Sequence, residues 1–310
     1  MVRRTDKSLK TGSGTPEATI HRQLRHTSQL RLESLLIEIQ RTAAHPAADA
    51  IHDLRVAIRR GTEVLHVMQI AAIPNVRARR RLIKRLRRVR RAGGAVRDCD
   101  VLLQMMPHWP TDSGAGAVVE RQMQDLNLTR ISALNTLTHR LGARTLAPAI
   151  RQSIALLQRG PGPALDDALM ERMNRNQRRF AAMVRKAKQD PTDRRLHRAR
   201  IAAKHWRYAL EMCPTGMKRQ ADKCERRRRQ LKASQELLGN IHDLEMLAAR
   251  FEGSAADKAS GRPATKHSAW LQQTRRKRKA LISTFFQTPL VRTMLRDRTK
   301  INSNCTAQKC

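Results

Sequence analysis

Aromatic and acidic residues are scarce in this chain of 310 residues. Phe, Trp and Tyr make up 3% of the sequence, and 26 Asp and Glu face 63 Lys and Arg, giving a formal net charge of +37. Proteins that read unpaired bases stack them on aromatic side chains, so the composition argues against that class of nucleic-acid reader. Positive charge on this scale repels itself, and we therefore expect the chain to work bound to a polyanion.

Long apolar runs and paired cysteines are also absent. No run approaches the length of a membrane span, and the N-terminal residues MVRRTDKSLKTGSGTPE lack the apolar stretch of a secretory signal. The cysteines are odd in number and form no CxxC pair, which argues against a zinc site. They are Cys99, Cys213, Cys224, Cys305 and Cys310. We expect reduced thiols in a cytoplasmic protein.

Glycine and proline are modest in number, and the alternation typical of strands is hard to find. The chain has 14 Gly and 12 Pro, and 40% of its residues are hydrophobic. That apolar share can form a core and excludes wholesale disorder, so a helical protein is expected. The compatible polyanions are DNA, RNA, an anionic membrane surface and an inorganic phosphate polymer.

Two motifs recur at a constant spacing of 145 residues. IHDLRVAIRR at 51–60 matches LHRARIAAKH at 196–205, and GAVRDCDVLL at 94–103 matches GNIHDLEMLA at 239–248. The polar stretch at 107–116 falls on the similar stretch at 252–261 under the same shift. Matching motifs and matching breaks together indicate a duplicated unit.

Each unit is predicted to contain four helices. They span about 17–43, 48–71, 76–106 and 117–141 in the first unit, and about 165–188, 192–213, 218–251 and 265–287 in the second. Residues 148–158 form a further candidate helix between the units. The prediction is an all-α fold of two four-helix bundles, at 17–145 and 162–290, related by a pseudo-two-fold repeat with a basic groove between them. Tails are expected at 1–16 and 291–310.

The first repeated motif places basic residues on one side of a helix. At 100° per residue, His52, Arg55 and Arg59 share a narrow stripe, and His197, Arg200, Lys204 and Arg207 do the same in the second unit. Burying unpaired charges against an apolar core is costly. The stripe is therefore a solvated face or the wall of an anion site, and its recurrence favours the anion site.

The third helix of each unit is also basic. Residues 77–91 hold ten Lys or Arg and no acid, and Lys84 and Arg87 correspond to Arg229 and Lys232. Like charges one turn apart destabilise an isolated helix, so keeping them suggests a shared anion. The glycine-containing motif adds one aspartate per unit, Asp98 and Asp243, which we expect to orient a neighbouring Arg or His by an ion pair rather than to ligate metal.

These paired motifs resemble the CHAD domain, the conserved histidine α-helical domain. HDLRVAIRR with GAVRDCDVLL, and LHRARIAAKHWRYALE with LLGNIHDLEML, carry the resemblance, which covers about residues 17–290. It implies two four-helix bundles with a basic channel between them, binding of inorganic polyphosphate, and association with polyphosphate granules. It implies neither catalysis nor a cofactor.

The resemblance also implies a set of polyphosphate-binding residues. Gly61 and Thr62 depart from the family pattern, because another arginine usually follows the Arg59–Arg60 pair. The departure puts strict symmetry of the site in doubt. The implied residues are His52, Arg55, Arg59, Arg60, Lys84, Arg87, Arg88, His197, Arg200, Lys204, Arg207, Arg229 and Lys232.

Three other interpretations stay open at this point. The charge alone permits a nucleic-acid-binding protein, or low-specificity nucleic-acid binding as a secondary property, although no helix-turn-helix, zinc finger or RNP-type motif is found. A metal-dependent phosphohydrolase using His52, Asp98, His197 and Asp243 needs more carboxylates than the basic face offers. A coat protein on a storage granule is compatible with polyphosphate binding. The sequence leaves the oligomeric state open.

Overall fold

The described chain is entirely helical. The computed structural model describes residues 16–106, 116–142, 145–159, 164–214, 218–255 and 265–296, and these ranges contain ten α-helices and no strand. The helices are α1 (Pro16–Ala44), α2 (Ala48–Ile70), α3 (Val76–Met105), α4 (Gly116–Leu141), α5 (Leu146–Gln158), α6 (Ala164–Gln189), α7 (Asp193–Leu210), α8 (Lys218–Ala255), α9 (Thr265–Gln287) and α10 (Pro289–Arg296). The all-α prediction is confirmed.

Prolines lie at several of the breaks between helices. Pro46, Pro74 and Pro191 lie in short connections, and α10 begins at Pro289, where the missing N–H costs no helical hydrogen bond. The turn between α2 and α3 is held by the buried guanidinium of Arg79. It donates to the carbonyl oxygens of residues 68, 73 and 74 at 2.6–3.3 Å.

Consecutive helices pack against each other in two groups. In residues 16–158, α1 packs on α2, α2 on α3 and α3 on α4, and α5 covers α1 and α3. In residues 164–296, α6 packs on α7, α7 on α8 and α8 on α9, and α10 covers α6 and α8. The groups meet where α2 contacts α6 and α7 and where α3 contacts α8. One continuous apolar core runs through both groups.

Two helices differ from the sequence prediction. The candidate helix at 148–158 begins at Leu146 and packs on α1 and α3, so it belongs to the first group rather than lying between the two. Residues 291–296, predicted as part of a tail, belong to α10, which buries Leu290, Val291 and Met294. Its eight residues are too few for the periodicity to stand out. The other predicted tail residues, 1–15 and 297–310, lie outside the described ranges.

The 145-residue spacing reappears in the core packing. Gly61 of α2 lies against Leu35 of α1, where an added Cβ would approach Leu35 Cδ2 to 2.8 Å. At the positions 145 residues later, Trp206 of α7 packs on Phe180 of α6 with ring centroids 5.8 Å apart. The small pair Gly61–Leu35 in the first group therefore corresponds in position to the large pair Trp206–Phe180 in the second. This packing accounts for Gly61, which the sequence marked only as a departure.

The three cysteines within the described ranges are free thiols. Cys99 and Cys224 are buried, and Cys213 is half-buried. The thiol of Cys224 lies 2.8 Å from Sγ of Cys213. Cys305 and Cys310 lie outside the described ranges.

Candidate functional site

The two predicted basic stripes face each other where α2 meets α7. A cavity of about 60 Å³ opens between them and α3. It is lined by Arg59, Thr62 and His66 of α2, Ile83, Arg87 and Arg90 of α3, and Ile201, Lys204, His205 and Tyr208 of α7. Arg55 and Arg200 lie one turn along each stripe. We call the cavity together with Arg55 and Arg200 the central basic site.

Burial is the main cause of a lowered pKa in three arginines of the central basic site. Burial, followed by the charges of Arg59 and Arg90, lowers the pKa of Arg55 to about 10, although Asp98 acts in the opposite direction. Burial is also the main cause of the lowered pKa of Arg90 and Arg200. Positive groups held this close in a partly desolvated place favour an anion.

Lys204 is the most strongly perturbed of these cations. Burial comes first, and the positive charges of Arg59, Arg200, Arg55 and Arg207 follow, so that the pKa of its ammonium falls to about 6. A lysine with this pKa is mostly neutral at pH 7, and a nearby anion would restore its charge.

A glycine of α3 or α8 adjoins each central arginine. Arg55 extends across α3, and its Nη1 donates to the carbonyl oxygen of Gly93 at 3.3 Å. A Cβ at Gly94 would lie 3.8 Å from Nη2 of Arg55, and a Cβ at Gly239 would lie 4.0 Å from Nη2 of Arg200. In each helix group, the glycine of the second repeated motif thus lies beside the arginine of the first repeated motif: Gly94 beside Arg55, and Gly239 beside Arg200. At these distances a Cβ would make only an ordinary van der Waals contact with either guanidinium group.

Several guanidinium donors in this region are buried without a hydrogen-bond partner. The Nε atoms of Arg55, Arg59, Arg200 and Arg207 are inaccessible to solvent and have no hydrogen-bond acceptor among the described residues. An unsatisfied buried donor is costly, by about 1–3 kcal/mol, and more when it carries charge. Four such donors close together indicate a site shaped for an anionic ligand.

The two motif aspartates lie near the central arginines but form no close pair. Asp98 acts on the pKa of Arg55, and Asp243 acts on that of Arg200, in each case upwards. Among the described residues, neither carboxylate has an ion pair within 4.0 Å. Burial raises the pKa of Asp243, and Asp98 raises it further while Arg200 opposes the rise. Their predicted orienting role stays a prediction.

The two motif histidines occupy equivalent surroundings at the exposed end of each stripe. Burial lowers the pKa of His52, and Arg97 of α3 lowers it further. His197 lies beside His242 of α8 with ring centroids 5.3 Å apart, and its pKa is lowered by burial and then by Arg200. His242 follows Arg97 by 145 residues, and its own pKa falls to about 4, mainly through burial.

Other predicted site residues lie outside the cavity. Arg60 and Arg207 are ion-paired to Glu211, with shortest distances of 2.9 and 3.7 Å. Lys84 and Arg88 are exposed on α3. Arg229 and Lys232 are exposed on α8, where each faces an acid one turn away. Their contact with a ligand stays a prediction.

The cavity contains residues that the sequence analysis did not single out. Arg90 lies three residues after Arg87, and this helical spacing was an available signal. His66, His205 and Tyr208 come from positions that only the packing of α2 on α7 brings together. No sequence pattern identified these three residues in advance.

A buried ion cluster lies beside the cavity and joins the two helix groups. Glu63 of α2 is 0% exposed and accepts hydrogen bonds from Nε and Nη2 of Arg172 of α6 at 2.8 and 3.1 Å. It also contacts Nδ1 of His205 of α7. Burial acts to raise the pKa of Glu63, but His205 and then Arg172 outweigh it and hold the pKa at about 2.

The described residues offer neither a metal centre nor a membrane span. No group of three or more His, Cys, Asp or Glu within them is arranged to hold a metal ion. Among the described helices, none combines the length and the hydropathy needed to cross a bilayer.

Comparison with known proteins places this arrangement among other helical proteins. The family model described as the CHAD domain matches residues 26–252. The crystal structure of the CHAD domain from the plant Ricinus communis has a TM-score of 0.59 and 20% identity, covering 89% of this chain and 91% of that one. PptA from Streptomyces chartreusis has a TM-score of 0.56 and 16% identity, covering 89% and 98%. No curated protein sequence matches this chain.

Proposed function

Because this chain belongs to the CHAD domain family, for which polyphosphate binding is a known property, we propose that it binds inorganic polyphosphate in the central basic site. The direct contacts are assigned to Arg55, Arg59, Arg200 and Lys204 of the facing stripes and to Arg87 and Arg90 of α3. The proposal is one of binding without catalysis, since the cavity is lined by cations and lacks a carboxylate pair that would hold a metal.

The observation that carries the proposal is the set of buried guanidinium donors without acceptors. Three of the four belong to Arg55, Arg59 and Arg200, which adjoin the neutralised Lys204. Phosphate oxygens accept from guanidinium groups in a bidentate geometry, and a chain of phosphates can accept from several arginines in succession. One ligand would therefore satisfy these donors and restore the charge of Lys204.

The same surroundings fit polyphosphate better than nucleic acid. Polyphosphate has no base to stack, and the cavity contributes only one aromatic ring apart from its histidines, that of the buried Tyr208. A duplex would need a broad surface, whereas the donors here lie in a small cavity between three helices. Diffuse charge would still attract DNA at low salt, so the two ligands must be compared directly.

Calorimetric titration at physiological salt tests the proposal. Long-chain polyphosphate and double-stranded DNA are titrated into the wild-type chain and into a variant with Arg55, Arg59, Arg200 and Lys204 changed to Ala. The control changes four exposed arginines outside the site to Ala, namely Arg121, Arg140, Arg151 and Arg179, and removes the same number of Lys/Arg residues. We expect tight polyphosphate binding by the wild type and the control and a loss of at least ~100-fold in the site variant.

Two outcomes would contradict the proposal. Equal affinity of the wild type for both polymers would mean that binding reflects net charge alone. Equal losses in the site variant and the control would mean that the central basic site has no special role.

The cellular setting is part of the same proposal. A polyphosphate-binding protein of the cytoplasm would collect on polyphosphate granules. A fluorescent fusion of the wild-type chain should mark such granules, and the fusion of the site variant should remain diffuse. Granule labelling by the site variant would separate localisation from the central basic site.

A further inference from the structure

The outer surface of α3 carries many positive charges and, within residues 77–91, no acidic side chain. Of the ten Lys and Arg within 77–91, all are exposed except Arg79, which holds the α2–α3 turn, and Arg90, which lines the cavity. None of the exposed eight side chains has an ion pair or a hydrogen bond to another described residue. Their charges are therefore available to a ligand.

Four of these residues form a row that leads to the central basic site. Arg80, Lys84, Arg87 and Arg91 follow one another at spacings of four, three and four residues, and this spacing places them on one face of the helix. Arg87 lines the cavity, and Arg87 and Arg91 both lower the pKa of the cavity residue Arg90 after burial and Arg59. We call Arg80, Lys84, Arg87 and Arg91 the α3 row. It extends over about 16 Å of helix.

The corresponding positions of α8 carry no net charge. The residues 145 positions later are Glu225, Arg229, Lys232 and Glu236, two acids and two bases. They pair within the helix, with Arg229 Nε 3.4 Å from Glu225 and Lys232 Nζ 3.9 Å from Glu236. A polyanion approaching α8 would meet carboxylates at both ends of this row.

A further acid neutralises the second stripe on the same side. Glu211 follows α7 and is ion-paired to Arg60, Arg207 and Arg31. The residue 145 positions earlier is His66, which lines the cavity. Glu211 thus offsets arginines of both helix groups where they meet, and the exposed excess of positive charge lies on α3.

We propose that the α3 row is a one-sided extension of the central basic site that binds the part of a long polyphosphate chain emerging from the cavity. This inference rests on the proposed function and adds to it a direction and a preference for long chains. Short phosphates occupy the cavity alone, whereas a long chain gains the additional cations of α3 and gains little from the paired charges at the corresponding positions of α8. Each added phosphate contact releases counterions, so the extension also steepens the salt dependence.

Exchanging the charge pattern of the two rows tests the extension. Arg80→Glu/Arg91→Glu gives α3 the pattern of α8, and Glu225→Arg/Glu236→Arg gives α8 the pattern of α3. Arg121→Glu/Arg140→Glu, at exposed positions of α4, changes the net charge as much as the α3 variant does. Tripolyphosphate and long-chain polyphosphate are titrated into each protein at several salt concentrations, with double-stranded DNA as a third ligand.

We expect the α3 variant to lose at least ~10-fold in long-chain affinity at physiological salt and to show a shallower salt dependence. Its affinity for tripolyphosphate should stay close to that of the α4 control. The α8 variant should bind long chains more tightly than the wild type. Circular dichroism spectra of the wild type and the variants should agree, because all the changed residues are exposed or half-buried on helix surfaces.

The possible failures are distinguishable. Equal losses in the α3 variant and the α4 control would overturn the extension and leave the central basic site intact. Loss of DNA binding without loss of long-chain affinity would overturn it in favour of a nucleic-acid surface. If the wild type binds neither tripolyphosphate nor long-chain polyphosphate, the proposed function itself is overturned.

Discussion

The affinity of this chain for long polyphosphate should rise as the pH falls from 8 towards 6, and Lys204 is the group responsible. In the free protein the pKa of Lys204 is about 6. Burial is the larger cause, and the positive charges of four surrounding guanidinium groups add to it. A phosphate chain in contact with the ammonium favours its charged form. Binding above this pKa is therefore coupled to the uptake of a proton by Lys204.

The size of the effect follows from the protonated fraction of the free protein. A group whose pKa is higher in the complex strengthens binding as the pH falls, and its contribution is complete below the pKa of the free state. The affinity should therefore rise about tenfold between about pH 8 and 7 and level off below about pH 6.

Lys204→Arg is the informative variant, because an arginine stays charged throughout this range. Its affinity at pH 8 should exceed that of the wild type and vary little with pH. Calorimetry in two buffers of different ionisation enthalpy measures the proton uptake directly. Long chains are used, since their titrating end groups are a small share of the phosphates.

Other titratable groups face Lys204 and must be separated from it. They are His66, Arg55 and Arg59 of α2, Arg87 and Arg90 of α3, His197, Arg200, His205, Arg207 and Tyr208 of α7, and His242 and Asp243 of α8. The pKa of His52 and of His197 is lowered from 6.5, so the histidine charge in the free protein changes below that value. A His52→Ala/His197→Ala variant should keep the dependence between pH 8 and 7. A wild-type affinity that is constant from pH 8 to 6, without proton uptake, would refute the reasoning, as would an unchanged dependence in Lys204→Arg.

The packing described above leads to three tests of stability. Glu63→Gln should lower the free energy of unfolding by about 3 kcal/mol in urea denaturation, against about 0.5 kcal/mol for exposed Glu171→Gln; equal effects would contradict the role of the buried cluster. Because the pKa of Glu63 is lowered from 4.5 to about 2, the stabilisation from this carboxylate should be fully present above pH 4.5 and be lost as the pH falls towards 2. Gly61→Val should cost about 1–3 kcal/mol through overpacking against Leu35, and Leu35→Ala in the same chain should recover part of it; strictly additive losses would show that the two do not clash. Arg79→Met should cost about 2 kcal/mol in the same assay, because its loss leaves the carbonyl groups of the α2–α3 turn unsatisfied, whereas the same change at an exposed arginine of α3 should have little effect.

The helices were predictable because each carries its own signals. Prolines separate them, apolar residues recur at helical spacing, and the basic stripes are visible within single helices. The pairing of Gly61 with Leu35 shows the limit of this information. Its counterpart, Trp206 with Phe180, preserves the contact with different volumes, and the relation appears only when both helices are seen together.

The candidate site was predictable in part for the same reason. Arg55, Arg59, Arg200 and Lys204 were found from their spacing on one helix and its repeat, and these stripes do face each other. The sequence gives no comparable signal for Glu211, which ion-pairs with residues that are up to 180 positions away in the chain. Acids and bases were counted as charges in the sequence, but their neutralisation depends on which helices meet.

The cluster around Glu63 has a consequence for how the two helix groups can exist. Its carboxylate belongs to the first group, whereas both of its partners, Arg172 and His205, belong to the second. A fragment ending after α5 would leave this carboxylate without either partner, and a fragment beginning at α6 would leave Arg172 without its anion. Neither group is therefore self-sufficient. The chain should therefore unfold in one cooperative transition.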